Sequence, residues 1–277
     1  MKGKGGQAMK KIGIDAGGSL TKIAYYDQGK LHVKTYPNEQ MKALIEWLQI
    51  ISPHAKLLLT GGKSGYLKHH VKQETSLIDE FQALVKGTRF LLQEEKGSFH
   101  HEFILVSMET GTSIFHVTSD GFERMLGTGI GGGTLMGLGK LISGKNNFLE
   151  LIELARVGDQ QQSDLLVRDI YAPHDPPLLG DLTAANFGKA HFNQDAKASD
   201  YMASLIQLIG ETTLLLAHQA ASLKQVGKIV FIGSTFNGNS SLKNTLESFE
   251  DMMLYESIFL NRGSYAGAIG ALMIRDN

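Results

Sequence analysis

Cysteine is absent from the 277 residues of this chain. Disulfide bonds, thiolate metal sites and cysteine nucleophiles are therefore excluded, and a chain without disulfides fits a reducing cytoplasm. Uninterrupted apolar runs that could span a bilayer are also missing, since none approaches the required length of about 18 residues. We therefore expect a cytoplasmic protein with no membrane partner.

An excess of charge of one sign is missing as well, because 27 basic residues offset 28 acidic ones and leave a formal charge of -1. No global field then favours nucleic acid as a partner, and an anionic ligand must be held by a local site. What is present is the composition of a folded globular protein, with 42% hydrophobic and 20% charged residues. The length allows one large domain or two of about 100 to 200 residues each, and we start from two lobes.

A strand-turn-strand pattern occurs twice in the chain. Its strands are rich in apolar and β-branched residues. The two copies span Lys11–Asp15, Gly17-Gly18 and Thr21–Tyr26, then Phe103–Ser107, Thr110-Gly111-Thr112 and Ser113–Val117. Aligning Gly18 with Gly111 superposes the copies without a gap. The repeat predicts a duplicated two-lobe architecture with one phosphate-facing hairpin in each lobe.

Periodicity predicts the remaining elements. Strands are expected at Lys56–Thr60 and Lys228–Ile232, a loop at Pro173–Gly180, and helices at Met41–Ile50, Asp79–Glu95, Leu135–Ile142, Phe148–Arg156, Tyr201–Lys224 and Ser264–Ile274. The helix at 201–224 is the longest, and Ser199 with Asp200 is predicted to start it because short oxygen side chains cap free amides. The last helix is rich in small residues and is expected to pack closely between the lobes.

The first strand junction carries the parts of a triphosphate site. It reads Asp15-Ala16-Gly17-Gly18-Ser19-Leu20-Thr21-Lys22. Glycines let backbone amides approach a polyphosphate, Ser19 and Thr21 can donate hydroxyls, and Lys22 supplies a point charge. Asp15 can hold Mg²⁺ through a carboxylate oxygen or a water. The alternative is that Gly17-Gly18 forms no more than a hairpin turn.

A second glycine-rich segment lies in the middle of the chain and reads Gly127-Thr128-Gly129-Ile130-Gly131-Gly132-Gly133-Thr134. It lacks the Lys-Ser/Thr ending of a P-loop, and no strand of the dinucleotide-binding type leads straight into it. Free amides at the start of the following helix predict an anion or nucleotide cradle. A flexible linker is the alternative, but it would favour serine and polar residues.

Together with other motifs, these segments resemble the type II pantothenate kinases. The resemblance extends from Met9 to Leu272, and it rests on Ile12 to Ser19 with Lys22, Glu80 seven residues before Gly87, Thr110-Gly111-Thr112-Ser113, Arg124 ahead of the glycine run, Gly180-Asp181-Leu182-Thr183-Ala184 with Phe187-Gly188, and Ala266-Gly267-Ala268-Ile269-Gly270-Ala271. The order and number of these motifs make the resemblance specific.

The resemblance implies an α/β, two-lobed actin-like (ribonuclease H-like) fold with an ATP cleft between the lobes. It implies ATP and Mg²⁺ as cofactors, a homodimer, and phosphorylation of pantothenate to 4'-phosphopantothenate as the first step of coenzyme A biosynthesis. We place a disordered tail or tag remnant at 1–8, because these residues are basic and lack the apolar stretch of a signal peptide. The N-terminal lobe is placed at 9–98 plus 264–277, and the C-terminal lobe at 99–263.

Residue by residue, the resemblance also assigns a site. Glu80 takes the place of the family's catalytic glutamate, and Arg124 is grouped with it. Substrate contacts fall on Thr110, Ser113, Arg124 and Phe249. Nucleotide contacts fall on Asp15, Ala16, Gly17, Gly18, Ser19, Leu20, Thr21 and Lys22, and on Thr110, Gly132, Gly133, Thr134, Leu135, Met136, Phe148 and Ser234, with Asp15 also at the metal.

Two departures from the family pattern are visible. Met108-Glu109 stands where the family usually has a small apolar residue and glycine, so the resemblance does not predict the geometry of the second turn. Phe249 takes the place of an aromatic that contacts substrate across the dimer, without a hydroxyl if the family has tyrosine there. The pairs His69-His70 and His100-His101 lack ligand spacing, so we assign no transition metal.

Three functions are weighed. The first is the pantothenate kinase, and the second is another enzyme of the superfamily, such as an N-acetylhexosamine kinase or an acyl-CoA dehydratase activator. The activator commonly carries an iron-sulfur cluster held by cysteine, which this chain excludes. The third is a non-catalytic nucleotide-switched regulator, against which the acid, hydroxyl and arginine set argues.

Overall fold

The computed structural model describes residues 11–97, 99 and 101–274. These residues divide into two compact units, the first formed by 11–97, 99 and 260–274 and the second by 101–259. The predicted lobe boundaries, at 98/99 and 263/264, lie a few residues from these. The predicted tail at 1–8 lies outside the described residues.

The strands and helices follow the sequence pattern closely. In chain order the strands are β1 (Lys11–Ala16), β2 (Leu20–Asp27), β3 (Lys30–Pro37), β4 (Lys56–Thr60), β5 (Thr75–Leu77), β6 (Phe103–Met108), β7 (Thr112–Val117), β8 (Phe122–Thr128), β9 (Leu165–Leu166), β10 (Thr183–Ala185), β11 (Lys228–Ile232) and β12 (Glu256–Phe259). The α-helices are α1 (Met41–Ile51), α2 (Ser64–His70), α3 (Glu80–Lys96), α4 (Gly132–Ser143), α5 (Phe148–Arg156), α6 (Val167–Tyr171), α7 (Ala198–Lys224), α8 (Ser240–Glu247), α9 (Glu250–Met253) and α10 (Ala266–Met273).

Each unit is built on a five-stranded mixed sheet. The strand order is β3-β2-β1-β4-β5 in the first unit and β12-β11-β6-β7-β8 in the second. The first strand of each unit, β1 or β6, pairs antiparallel with the strand that follows it and parallel with β4 or β11. Read from its other edge, the second sheet matches the first strand for strand, which confirms the predicted duplication at the level of topology.

Two glycines fix which residues of the repeats are equivalent. A Cβ at Gly61, after β4, would lie 2.6 Å from the carbonyl oxygen of Ala16, and a Cβ at Gly233, after β11, would overlap the carbonyl oxygen of Met108. Both glycines have positive φ angles, 86° and 122°, which side chains other than hydrogen rarely tolerate. Ala16 and Met108 therefore hold equivalent places at the ends of β1 and β6.

This equivalence corrects the predicted gapless alignment of the hairpins. Ala16 pairs with Thr21 across the first turn, whereas Met108 pairs with Thr112 across the second. The second turn is therefore one residue shorter, and Gly18 does not align with Gly111. The two hairpins share a frame but not a sequence register.

The sequence analysis missed two edge strands, β3 and β8. Both carry several exposed residues, so neither shows the apolar pattern of a buried strand. β8 leads directly into the glycine-rich segment, but it pairs antiparallel with β7. It is therefore unlike the parallel strand of a dinucleotide-binding fold.

Helix α10 packs against α3 and β1 of the first unit. A Cβ at Gly87 of α3 would overlap the carbonyl oxygen of Ala266, and one at Gly270 would overlap that of Ala83. These glycines let the two helix backbones touch, so Gly87 marks a helix crossing and does not interrupt α3. The main contacts of α10 lie within its own unit, and the expectation that it packs between the lobes stays a prediction.

Helix α7 forms the spine of the second unit. It begins at Ala198, before the predicted Ser199 and Asp200, and the Asp200 carboxylate accepts the backbone N–H of Lys197 at 2.8 Å. Its buried face packs in one apolar core with β6, β11, α5 and α8. In the described part of the chain, no helix combines the length and apolar character needed to cross a membrane.

Candidate functional site

The β1–β2 turn is held by Asn38, which follows edge strand β3. The Asn38 Nδ2 donates to the carbonyl oxygens of Gly17 at 3.1 Å and Gly18 at 2.7 Å. The backbone N–H of Asn38 donates to the carbonyl oxygen of Ser19 at 3.1 Å. Thr21 Oγ1 donates to Asn38 Oδ1 at 2.9 Å. The Thr21 hydroxyl thus stabilises the turn, and its role as a phosphate donor stays a prediction.

Asp15 lies near the end of β1 with its carboxylate between two glycines. A Cβ at Gly61 would lie 2.6 Å from Oδ1, and one at Gly267 would lie 2.5 Å from Oδ2. Thr60 is the β4 partner of Asp15, and its buried hydroxyl makes no hydrogen bond within the described residues. A carboxylate in space that a side chain would close, beside an unpartnered hydroxyl, fits Mg²⁺ or a water bound to it, because hard cations prefer oxygen ligands.

The other residues of the 15–22 segment differ in their exposure to solvent. Lys22 pairs with Asp15 across the hairpin and is 4% exposed. Ala16 is also buried, and its carbonyl oxygen accepts the backbone N–H of Lys63 at 2.9 Å. The Gly17 N–H donates to the carbonyl oxygen of Leu20 at 3.0 Å. A ligand therefore reaches this turn first at Gly18 and Ser19, which are exposed.

Glu80 is the first residue of α3. The preceding Asp79 caps the helix, because its Oδ1 accepts the backbone N–H of Gln82 at 2.8 Å. Glu80 is accessible to solvent, yet loss of hydration at its carboxyl group raises its pKa above the ordinary value of 4.5, and the charge of Asp79 adds a smaller increase. A carboxylate with a raised pKa is a stronger proton acceptor, which suits a general base.

The start of α4 closes against the β6–β7 turn. The Gly132 N–H donates to the carbonyl oxygen of Glu109 at 2.7 Å, and the Gly133 N–H donates to that of Thr110 at 2.8 Å. A Cβ at Gly132 would lie 2.8 Å from the Glu109 oxygen, and one at Gly133 2.9 Å from the Thr110 oxygen. These two amides bond within the protein, so the prediction that they are free to cradle an anion is wrong.

Glu109, the departure from the family pattern, is accommodated without distortion of the turn. Its N–H donates to the carbonyl oxygen of Gly111 at 2.8 Å, and Met108 beside it is buried. The Glu109 carboxylate accepts the Ser234 N–H at 3.2 Å and also the Ser234 hydroxyl. Ser234 was predicted to contact the nucleotide, and with its hydroxyl hydrogen bonded to Glu109 the oxygen can still accept a hydrogen bond from a ligand.

The remaining predicted nucleotide residues lie on α4 and α5. The hydroxyl of Thr134 donates to the carbonyl oxygen of Gly129 at 3.0 Å. Leu135 is fully buried in the core of the second unit, and Met136 and Phe148 pack against that core with part of their surface. A nucleotide contact at Leu135 would therefore involve its backbone, and the predicted contact stays a prediction.

The β7–β8 pair brings two predicted substrate residues together. Arg124 Nη2 donates to Ser113 Oγ at 3.4 Å, and Arg124 is exposed. Thr110, also exposed, lies in the turn that leads into β7. A guanidinium beside a hydroxyl on an accessible strand edge is suited to binding a carboxylate, because its N–H groups match the two carboxylate oxygens.

Phe249 lies elsewhere in the second unit, at the start of α9. It packs partly against the core and lines a cavity of about 620 Å³ together with Gly180, Asp181 and Leu182 of a family motif. Among the predicted site residues, all of which are described, Phe249 alone lines this cavity. Ser113 and Arg124 are not among the residues that line this cavity.

Sequence reasoning missed three parts of the site. Asn38 gave no signal, because the strand that presents it was not predicted. Gly61 and Gly267 were visible as glycines, but their proximity to Asp15 depends on the packing of β4 and α10. Gly127 was interpreted as part of a phosphate cradle, whereas the structure places it against the Arg124 guanidinium.

Comparison with solved structures defines the class of protein. Component A of the (R)-2-hydroxyglutaryl-CoA dehydratase of Acidaminococcus fermentans matches with a TM-score of 0.64 at 14% identity, over 96% of this chain and 97% of that one. The activator of the 2-hydroxyisocaproyl-CoA dehydratase of Clostridium difficile, with bound ADPNP, matches with a TM-score of 0.63 at 15% identity, over 96% and 93%. At sequence identities this low, the structural matches establish a shared fold and nothing further. The chain has the actin-like α/β fold of two similar sheets, as the sequence predicted.

Sequence comparison gives the family. The Fumble family model matches residues 26–274. A type II pantothenate kinase of Oceanobacillus iheyensis is 46% identical over 265 residues, which cover 96% of this chain and 99% of that protein. The chain belongs to the Fumble family, that of the type II pantothenate kinases, and the resemblance found in its motifs is confirmed.

Proposed function

We propose that this protein transfers the γ-phosphoryl group of ATP to pantothenate and so forms 4'-phosphopantothenate, the first step of coenzyme A biosynthesis. The observation that carries the proposal is the 46% identity, over nearly the full length of both chains, to a protein named type II pantothenate kinase. The geometry supports it, because an acid with a raised pKa and a serine-arginine pair are present where the family assignment puts them.

In this proposal Glu80 is the general base. It accepts the proton of the primary hydroxyl of pantothenate as that hydroxyl attacks the γ-phosphate. A carboxylate suffices, because the phosphoryl transition state is loose and asks more for positioning than for basicity. Arg124 binds the substrate carboxylate, and Ser113 and Thr110 orient the rest of the molecule.

ATP and Mg²⁺ are the proposed cofactors. The exposed tip of the β1–β2 turn, at Gly18 and Ser19, meets the phosphates, and Lys22 lies on the adjoining strand. Asp15 and the Thr60 hydroxyl are the oxygen ligands on offer to the metal or its water. When bound, Mg²⁺ neutralises the charge on the transferred phosphoryl group. The dehydratase activator of the same fold binds ADPNP.

The proposal includes a homodimer. Its support is the exposure of large apolar side chains on the second unit, where Leu215 and Leu223 of α7 are 54% and 73% exposed and Leu254, which follows α9, is 85% exposed. Association with a second copy would bury such leucines. Sedimentation velocity at micromolar concentration should show a dimer, and a fully active monomer would contradict this part of the proposal.

A coupled ADP-release assay tests the function. Purified protein with ATP and Mg²⁺ is given pantothenate, N-acetylglucosamine or no acceptor. ADP release that depends on pantothenate is expected. Release that depends on N-acetylglucosamine would indicate a hexosamine kinase, and ATP binding without turnover on any acceptor would indicate a nucleotide-switched regulator.

A further inference from the structure

Strand β8 has one residue more than the part of β7 that it faces. Arg124 pairs with Phe115, while Leu126 pairs with Ile114, so Met125 is the extra residue of a β-bulge. In a regular strand, residues three apart point to opposite faces of the sheet. A bulge breaks this alternation and redirects side chains. The guanidinium of Arg124 is accordingly turned back over Gly127.

Gly127 leaves the space that the guanidinium fills. A Cβ at Gly127 would overlap Nη2 of Arg124 and lie 3.2 Å from its Cζ. Gly127 pairs with Ser113 across the sheet, and the same Nη2 donates to Ser113 Oγ. Ser113 and Gly127, which pair across β7 and β8, therefore both lie next to the Arg124 guanidinium.

The strand itself does not need glycine at this position. Apart from Arg124, the nearest atom to a Cβ at Gly127 is the carbonyl oxygen of Thr112 at 3.4 Å, an ordinary contact. The φ angle of Gly127 is outside the positive range that side chains avoid. An added methyl group would thus collide with the movable end of Arg124 and not with the backbone of the sheet.

We infer that Gly127 is a positioning residue, which fixes the direction of the Arg124 guanidinium toward the substrate carboxylate. This inference rests on the proposed function, in which Arg124 binds that carboxylate. Two-point recognition of a carboxylate needs a guanidinium plane of fixed orientation. A methyl group at position 127 displaces the guanidinium plane but leaves the charge of Arg124 in place. The expected loss of affinity for the carboxylate therefore comes from altered geometry.

Gly127→Ala tests the inference against Gly121→Ala. Gly121 lies in the turn of the same hairpin, and a Cβ there would meet no described atom within 4 Å. Gly127→Ala should raise the KM for pantothenate about 10-fold, part of the effect of losing a charge-assisted pair, with KM for ATP and the melting temperature near those of wild type. Gly121→Ala should change none of these values.

A double-mutant cycle separates positioning from general damage. In the Arg124→Ala background, Gly127→Ala should add less than about a 2-fold change in KM, because the partner it displaces is gone. The same 10-fold increment in both backgrounds would overturn the inference, as would an unchanged KM in the single variant. If Gly127→Ala lowers the melting temperature, the same substitution is made in the Arg124→Lys background. Lysine lacks Nη2, so the alanine should then change the KM for pantothenate little, and a 10-fold increase there would overturn the inference.

A measurement without substrate distinguishes failure of this inference from failure of the proposed function. Wild-type protein that does not use pantothenate contradicts the function alone. The guanidinium NMR signal of Arg124, assigned by its loss in Arg124→Ala, should still shift in Gly127→Ala and stay unchanged in Gly121→Ala. If the Arg124 signal has the same chemical shift in Gly127→Ala as in wild type, the inference is overturned, whichever substrate the protein uses.

Discussion

The turn after β1 and the turn after β6 lie at equivalent places in the two units but are stabilised differently. Asn38 binds the carbonyl groups of the first turn from strand β3, and the acid of that hairpin, Asp15, precedes the turn. In the second, the amides of Gly132 and Gly133 bind the turn from α4, and the acid, Glu109, lies within it and holds Ser234.

The difference shows that a duplicated strand topology can carry turns held in two ways. In the first unit, the bonds to the carbonyl groups of the turn come from Asn38, outside the turn, and the proposed phosphate and metal contacts lie in the same hairpin. In the second unit, the turn is bonded to a helix and a loop, and the proposed substrate contacts lie one strand along, at Ser113 and Arg124. Topology is thus repeated while the reactive groups are not.

The largest effect is expected from Glu80→Gln in the first unit. The amide keeps the shape of the side chain but cannot accept a proton, so kcat should fall on the order of 10² to 10⁴-fold. Glu94→Gln, an exposed acid near the other end of the same helix, is the matched control and should retain wild-type kcat. A Glu80→Gln enzyme that keeps more than about a tenth of wild-type kcat would place the base elsewhere.

The pH dependence of kcat sharpens the same assignment. Glu80 must be ionised to accept a proton, and its pKa is raised above 4.5, so kcat should fall as the pH drops through that raised pKa. This fall in kcat is therefore expected at a higher pH than an ordinary glutamate would give. The residual kcat of Glu80→Gln should not fall over the same pH range. An identical fall in the variant would show that another group titrates.

The charge of the first hairpin is tested by Lys22→Met, which keeps most of the buried stem. Loss of a charge-assisted phosphate contact should weaken ATP binding by about 1.5 to 3 kcal/mol. Lys30→Met, at the exposed first residue of β3, controls for the change in net charge. If calorimetry finds equal ATP affinity in Lys22→Met and wild type, Lys22 does not contact the phosphates and has only a structural role in the hairpin.

The brace of the first turn is tested by Asn38→Ala and Asn38→Asp. Alanine removes the side-chain bonds to Gly17, Gly18 and Thr21, so stability should fall by about 1 to 3 kcal/mol and the KM for ATP should rise. Aspartate keeps the acceptor for Thr21 but places oxygen against two carbonyl oxygens, so it should rescue little. Denaturant unfolding and ATP kinetics that match wild type for both variants would contradict the brace.

The smallest effect is expected from Glu109→Gln in the second unit. The glutamine amide oxygen can accept one of the two Ser234 bonds, and its N–H can donate to the Ser234 hydroxyl oxygen in place of the other. Removal of a negative charge near the proposed polyphosphate site should tighten ATP binding by about 1 kcal/mol. Glu256→Gln, an exposed acid on edge strand β12, is the control. Weaker ATP binding in Glu109→Gln would instead make the carboxylate part of the nucleotide site.

Sequence reasoning recovered elements with a strong apolar period and missed contacts that depend on packing. The strands Lys56–Thr60 and Lys228–Ile232 and the helix Phe148–Arg156 were predicted with the bounds that the structure gives. Asp15 and Arg124 were visible because carboxylate and guanidinium chemistry can be inferred from residue type. Gly132 was misinterpreted, because a glycine run looks the same whether its amides face an anion or a neighbouring carbonyl group.

The central claim is phosphoryl transfer from ATP to pantothenate, with Glu80 as the proposed general base and Arg124 as the proposed carboxylate contact. Mass spectrometry of the product formed from pantothenate and ATP labelled in the γ-phosphate tests it most directly, with wild-type, Glu80→Gln and Arg124→Ala proteins side by side. We expect labelled 4'-phosphopantothenate from wild type, almost none from Glu80→Gln, and recovery for Arg124→Ala at high pantothenate. Labelled inorganic phosphate without labelled 4'-phosphopantothenate in the wild-type reaction would contradict the account.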